Sequence, residues 1–281
     1  ALMNPGDLLL LPDPGYPDYL SGVSLGRVAY ETFPLTAEND FLPDLDAIPE
    51  ETARRAKFIY INYPNNPTGA VATKAFYEKL VAWAKTYEVG VVSDLAYGAL
   101  GYQGYENPSF LSTPGAKDVG IEFYTFSKTF NMAGWRLAFA AGNDQMIEAL
   151  NLIQDHLFVG IFPALQEAGI AALLDSKSEE AVAQLNATYD SRRDAFVQAA
   201  AKIGWQAFPS RGSFYAWMPV PEGYTSESFA DLLLEKAHVA VAPGKGFGPA
   251  GDAYVRIGLL VEPERLVEAV NRIAALHLFN N

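Results

Sequence analysis

Short apolar runs alternate with amphipathic stretches, polar loops follow the runs directly, and the texture changes after Gly204; together these predict an α/β protein. The expected architecture is a mostly parallel central sheet with helices on both faces, followed by a smaller C-terminal α+β domain. The expected division is 1–185 for the large domain and 186–281 for the small one. At 281 residues, half of them apolar, the chain is long enough to bury a large core.

Leu8 to Leu11 is the first apolar run. "KFIYINYP", ending at Pro64, is the second, and its aromatic and β-branched residues suit a strand buried on both faces. From Thr73, a residue type that caps helices, apolar Phe76, Tyr77, Leu80, Val81 and Ala84 recur at helical spacing up to Tyr87. "GVVSD" reads as the next strand, ending at Asp94, and "IEFYTFS" as another, ending at Ser127. Ser176 with Glu179 has the pattern of a capping box at the head of a long helix that Gly204 stops. Beyond it come hairpin-like strands around "GSFYAWMPV", a helix from about Ser226 to His238, the strand "YVRIGLL" and a final helix beginning near Pro263. No internal repeat or low-complexity segment interrupts this order.

The formal charge of -13 lacks the electrostatic footprint of a nucleic-acid binder, and an anionic membrane surface would repel the chain. A small soluble partner is expected. With no cysteine and three scattered histidines (His156, His238, His277), neither a disulfide framework nor a cysteine- or histidine-based metal site forms in any familiar spacing. No uncharged apolar run approaches the ~20 residues of a membrane span, and "ALMNPGDLLLLPDPGYPDY" lacks a basic leader, so a cytoplasmic location is expected. "ALMNPGD" reads like the tail of a helix turning into a strand, so the chain is expected to start inside a domain.

In doubly wound sheets ligands bind at the carboxyl ends of the strands, which singles out "NYPNNPTG", "DLAYG" and "SKTFNMAGWR". Lys128 is either a solvated surface charge or an amine able to form an imine with an aldehyde. Asp94, a carboxylate at the end of a buried strand, either pairs with a protonated heterocyclic nitrogen or caps a helix starting at Leu95. Tyr97 offers a phenol to the same ligand, or simple packing. Asn66, on a turn stiffened by Pro64, Pro67 and Gly69, either donates to a ligand oxygen or bonds its own backbone. Thr125, Ser127 and Arg136 supply small donors and a planar cation suited to a phosphate. Taken together they describe a cradle for pyridoxal phosphate. "PGKGFG", Pro243 to Gly248, lacks the ending of a phosphate loop and is expected to be a mobile loop beside the site.

The motifs "PNNPTG", "DLAYG", "SKTFNMAGWR" and "YVRIGLL", in this order along essentially the whole chain, resemble the class I and II aminotransferases of fold type I. The resemblance implies that Lys128 is the Schiff-base lysine, that Asp94 pairs with the pyridine nitrogen, and that Tyr97 and Asn66 bond the phenolic oxygen. It places the phosphate on Thr125, Ser127 and Arg136, the cofactor ring against Tyr16 of "DPGYPDY", and the substrate carboxylate on Arg256. It further implies an upstream arm, strand and glycine-rich turn, and a homodimer acting on an amino acid and a 2-oxo acid.

Arg256 selects for amino acids without choosing among them. No arginine occurs between Arg136 and Arg192, where aspartate-preferring members commonly carry one, and "NLIQDHLFVGIFPALQ" is apolar and aromatic. Leu157, Phe158, Ile161 and Phe162 therefore either favour a neutral or aromatic substrate side chain or serve as helix packing. Within the family, "LLPDPGYPDYLSGVSL" and "VPEGYTSESFADLLLEKAHVAVAPGKGFG" resemble the methionine-salvage branch, which uses glutamine among its donors, and nearly as much an aromatic branch of bacilysin formation. Aspartate-type aminotransferases, carbon–sulfur lyases on the same cofactor, and aminotransferase-like sensor domains of transcription regulators are the competing readings.

Overall fold

Every residue of the first strand, β1 (Leu8–Asp13), is buried, because Leu8 and Leu10 face one core while Leu9 and Leu11 face another. A strand covered on both faces requires such a run. The computed structural model describes residues 1–279. After β1 come β2 (Ala29–Pro34), β3 (Ala56–Asn62), β4 (Gly90–Asp94), β5 (Gly120–Thr125) and β6 (Ala138–Gly142), in a six-stranded sheet ordered β2-β1-β3-β4-β5-β6. The neighbouring pairs from β2 to β5 are parallel, and β6 runs antiparallel to β5.

Helices cover both faces, as expected. Helix α1 (Tyr19–Gly26) brings Val23 to the core of Leu9 and Leu11. On the other face α2 (Glu50–Arg55), α3 (Lys74–Tyr87) and α4 (Ala116–Val119) deliver Ala53, Tyr77, Leu80 and Ala116 to the core of Leu8 and Leu10. Each fully buried large side chain contributes about 1.5–3 kcal/mol relative to exposure. The cap expected of Thr73 forms, its hydroxyl accepting from the Phe76 amide at 3.1 Å. A short helix, α5 (Phe126–Thr129), follows β5 at once, and α6 (Asp144–Ile153) returns Met146 and Ile147 to the Leu9 face. Then come α7 (Pro163–Leu174) and the long α8 (Ser178–Lys202).

The remaining chain forms a three-stranded antiparallel sheet from β7 (Tyr215–Pro219), β8 (Ala242–Pro243) and β9 (Tyr254–Gly258), ordered β7-β9-β8. Its core joins Phe196 and Ala200 of α8 to Trp205, Met218, Phe229 of α9 (Ser226–Leu232), and Leu266 and Ile273 of α10 (Pro263–Ala274). The border expected between residues 185 and 186 lies inside the unbroken α8.

Three local expectations need correction. The strand expected to end at Ser127 ends at Thr125, because the Thr125 hydroxyl accepts from the Ser127 amide at 3.2 Å and starts a helix. The Ser176–Glu179 capping box does not form: α8 begins at Ser178, and it is Asp175 that accepts from the Lys177 amide, at 2.8 Å. Leu157, Phe158 and Phe162 are exposed, so within this chain they do not pack a helix as one reading expected; Ile161 alone of the four is half-buried, against Phe126, Met132 and Leu137. "PGKGFG" forms a short 3-10 turn over Gly244–Phe247.

Asp13, Asn62, Asp94 and Thr125 are the last residues of β1, β3, β4 and β5. In a parallel sheet these ends share one edge, where ligands bind.

Candidate active site

Asn62 and Asp94 are register partners on β3 and β4. Asn62 Nδ2 donates to the Asp94 carbonyl at 2.9 Å, and Asn62 Oδ1 accepts from the Asn66 amide at 2.9 Å. One buried side chain thereby fixes a strand end and the turn beside it. Within that turn Asn65 Oδ1 accepts from the Thr68 amide and hydroxyl at 3.1 and 2.7 Å. The backbone-bonding role open to Asn66 thus belongs to Asn65, and Asn66 Oδ1 instead accepts from Arg256 at 2.7 Å. Gly69 closes the turn with φ +73°, and a Cβ there would sit 2.2 Å from Ser210 Oγ, so no other residue fits without a shift.

The Asp94 carboxylate accepts from the Tyr19 hydroxyl at 2.7 Å and from the Ala96 amide at 3.1 Å. Burial pushes its carboxyl above the ordinary range, and these two bonds and the charge of Lys128 pull it back. Lys128 sits on α5 with Nζ 5.9 Å from the centre of the Tyr97 ring and 5.4 Å from that of Phe214. The lysines that form ion pairs among the described residues are Lys79, Lys85 and Lys245; Lys128 is not one of them. Tyr97 is buried, its hydroxyl 3.5 Å from that of Tyr215, and burial holds its phenol well above the usual range.

Arg256, on β9, lies between two rings, its Cζ 4.1 Å from the centre of Tyr215 and 4.6 Å from that of Phe247. It is absent from the ion pairs of the described residues, and burial lowers its pKa from the ordinary arginine value. A guanidinium stays charged under any such shift and has five N–H donors, of which Asn66 uses one. The rest suit a carboxylate.

Thr125 Oγ1 donates to Ser127 Oγ at 2.9 Å. The β5–β6 register pairs Thr125 with Ala138, two residues past Arg136, so Ser127 and Arg136 flank the end of one ladder. Arg136 itself is exposed and donates to the Ala133 carbonyl at 3.0 Å, so the structure does not bring its side chain onto Thr125 or Ser127. Tyr16 is 40% exposed, meets Tyr19 edge-on at 5.6 Å, and donates to Asp18 at 2.6 Å, which pushes its phenol up to about 12.

The sequence reading missed Tyr19, Asn62, Phe214, Tyr215 and Phe247. Three of them lie in motifs already singled out, Tyr19 in "DPGYPDY", Asn62 in "NYPNNPTG" and Phe247 in "PGKGFG", whereas Phe214 and Tyr215 carried no signal. A cavity of ≈ 400 Å³ opens beside Tyr16, Tyr19 and Phe247. A larger one of ≈ 670 Å³ lies behind Tyr215 between Tyr102, Arg193 and Arg211, and neither cavity is lined by Lys128, Asp94 or Arg256. No three histidine, cysteine, aspartate or glutamate side chains among the described residues group as metal ligands. The strand ends and β9 together therefore present a lysine outside the ion pairs of the described residues, a half-buried carboxylate, phenols and an arginine with donors to spare.

The family model "Aminotransferase class I and II" matches residues 1–273. The L-glutamine–4-(methylsulfanyl)-2-oxobutanoate aminotransferase of Bacillus subtilis (strain 168) is 57% identical over 279 residues, which are 99% of this chain and 70% of that protein. The LL-diaminopimelate aminotransferase of Moorella thermoacetica is 49% identical over 271 residues, 96% of this chain and 69% of that protein. The substrate-bound structure of BacF from Bacillus subtilis superposes with a TM-score of 0.93 at 47% identity, covering 99% of this chain and 70% of that one. On the family match, these relatives and the sheet-edge geometry, the chain belongs to the class I and II aminotransferases, transaminases of fold type I that use pyridoxal 5'-phosphate.

Proposed function

We propose that the chain moves the amino group between an L-amino acid with a neutral or aromatic side chain and a 2-oxo acid, with methionine and its methylsulfanyl-oxobutanoate counterpart as one pair and glutamine as donor. The observation that carries the reading is Arg256, charged, ring-stacked and without a carboxylate partner among the described residues, tied through Asn66 to the turn beside Asp94. It is one receptor for one carboxylate. Lys245 is paired with Glu227, and no arginine lies between Arg136 and Arg192, so that stretch supplies no second cation for a distal acid. The 57% identity to the glutamine–methylsulfanyl-oxobutanoate enzyme supports the same choice. The 49% identity to an LL-diaminopimelate enzyme supports a second reading.

The residues fit the cofactor. Asp94 is a half-buried carboxylate that receives two hydrogen bonds but no cation at ion-pair distance, which suits a protonated ring nitrogen. Tyr97 and Asn66 would hold the phenolic oxygen, Tyr16 the ring face, and Thr125 and Ser127 the phosphate, with Arg136 joining them only once its side chain turns from the Ala133 carbonyl. Pyridoxal phosphate, when bound, supplies the electron sink that lets a proton leave the substrate α-carbon. Lys128 Nζ takes that proton and returns it, a role that a positioned base fills at a gain of roughly 10²–10⁴ in rate. Arg256 fixes the substrate carboxylate, and the rings of Tyr215 and Phe247 hold the guanidinium against rotation. Asn66 bonds the arginine at 2.7 Å and would bond the cofactor as well, so it aligns the two. Division into the proposed large and small domains, 1–185 and 186–281, puts Lys128 and Arg256 on different domains. A homodimer in the cytoplasm completes the proposal, and no helix among the described residues is long and apolar enough to cross a membrane.

The test is the near-visible absorbance of the cofactor-loaded protein during titration with single amino acids. Methionine, glutamine or phenylalanine should bleach the band and a 2-oxo acid restore it. A response to LL-diaminopimelate alone supports the second reading, and release of ammonia and pyruvate marks a lyase.

A further inference from the structure

Asp13, the last residue of β1, takes no part in the chemistry above, yet the residue is only 9% exposed and its carboxylate forms no ion pair among the described residues. Burial raises its pKa, and the one bond that opposes this comes from the Ala250 amide, which donates to Oδ1 at 3.0 Å. The segment it touches is the turn that carries Phe247. Gly15, two residues after Asp13, donates its amide to the Phe247 carbonyl at 2.8 Å. Between these two bonds Gly248 has φ +131°, and a Cβ there would sit 2.1 Å from Asp13 Oδ1. The turn therefore lies directly on the carboxylate, and its glycine is required both by φ and by that approach.

Phe247 is the ring 4.6 Å from Arg256 Cζ, and it also packs edge-on to Trp217 at 6.1 Å. The same β1–α1 turn that grips Phe247 carries Tyr16 and Tyr19, and Tyr19 bonds Asp94. Asp13 thus sits where the Asp94 side of the site meets the Arg256 side.

We propose that Asp13 is a positioning residue: it braces the Phe247–Ala250 backbone so that Phe247 caps the Arg256 guanidinium and aims it at the substrate carboxylate. This rests on the reading of Arg256 as the carboxylate receptor. The brace needs an acceptor at Oδ1 and not a charge, because its partner is a neutral amide. An asparagine side chain keeps that acceptor, and alanine does not.

The experiment compares Asp13→Asn, Asp13→Ala, Gly248→Ala and Arg256→Gln in the intact, cofactor-loaded protein. The probe is 4-(methylsulfanyl)butanoate, a carboxylate with no amino or keto group, and its Kd is measured by calorimetry. Amide exchange at Gly15 and Ala250 and steady-state kinetics are measured alongside. Loss of one brace should weaken the probe about tenfold in Asp13→Ala and Gly248→Ala. In both variants KM for the amino acid should rise by a similar factor, kcat should change less, and exchange at Ala250 should accelerate. Asp13→Asn should restore probe affinity to within about threefold of the starting protein. Equal weakening by Asn and Ala overturns the proposal, because the charge would then matter and not the acceptor. It is also overturned if Asp13→Ala binds the probe normally, or if it loses probe, cofactor and melting temperature together. Should Arg256→Gln leave probe affinity unchanged, the receptor reading is what falls, and exchange at Ala250 alone then decides whether Asp13 braces the turn.

Discussion

Arg256→Lys separates a carboxylate grip from mere positive charge. The arginine holds one bond to Asn66 at 2.7 Å and two ring faces at 4.1 and 4.6 Å, which leaves the fork of its remaining N–H groups for a substrate. Lysine keeps the charge but gathers its three donors on one nitrogen, so it loses the second parallel bond and the flat stacking surface. One charge-assisted hydrogen bond is worth about 1.5–3 kcal/mol, so kcat/KM for an L-amino acid should fall about 10- to 150-fold. The buried Asn66 oxygen also loses its donor, which should cost about 1–3 kcal/mol of stability. Rapid-mixing measurement of the half-reaction with methionine, beside the corresponding amine that lacks the carboxylate, isolates the effect. The amino acid should suffer the loss and the amine should not. Equal losses for both would show that Arg256 shapes the site without gripping the carboxylate.

Other outcomes follow from the same geometry. Asp94 has a folded-state carboxyl raised above its unfolded value near 3.8, so its contribution to stability is present below that pH and is lost as pH rises through the folded-state value. Cofactor-free Asp94→Asn, neutral at every pH, should therefore melt above the parent protein at neutral pH, with the gap closing below pH 3.8 in differential scanning calorimetry. Tyr97→Phe removes a hydroxyl whose only partner among the described residues, Tyr215, is 3.5 Å away. Urea stability should hold within about 0.5 kcal/mol while cofactor affinity drops up to tenfold. Gly69→Ala puts a Cβ 2.2 Å from Ser210 Oγ at φ +73°, and should cost at least about 1–2 kcal/mol in urea unfolding.

The sheet was legible because strands buried on both faces leave continuous apolar runs, as in Leu8 to Leu11 and the "FIYI" of β3. Strand β2 escaped because its burial pattern is mostly exposed, as suits a sheet edge, and its sequence AYETFP carries no such run. Loop residues after the strands were legible as types: Asp94, Asn66 and Lys128 lie on one edge. Their partners were not. Tyr19 meets Asp94 across 75 residues and Asn66 meets Arg256 across 190, and no local pattern encodes such pairs. Start signals also compete locally, which is why Asp175 bonds the Lys177 amide where Ser176 and Glu179 promised a box. The apolar stretch around Leu157 shows a further limit, since composition does not say which way a side chain faces.

The most direct test of the account is to load the protein with pyridoxal phosphate, reduce it with borohydride, digest it and map the lysine that carries the phosphopyridoxyl group. The account predicts that the label sits on Lys128 and is lost from Lys128→Ala. A label on any other lysine, or one that survives in that variant, contradicts it.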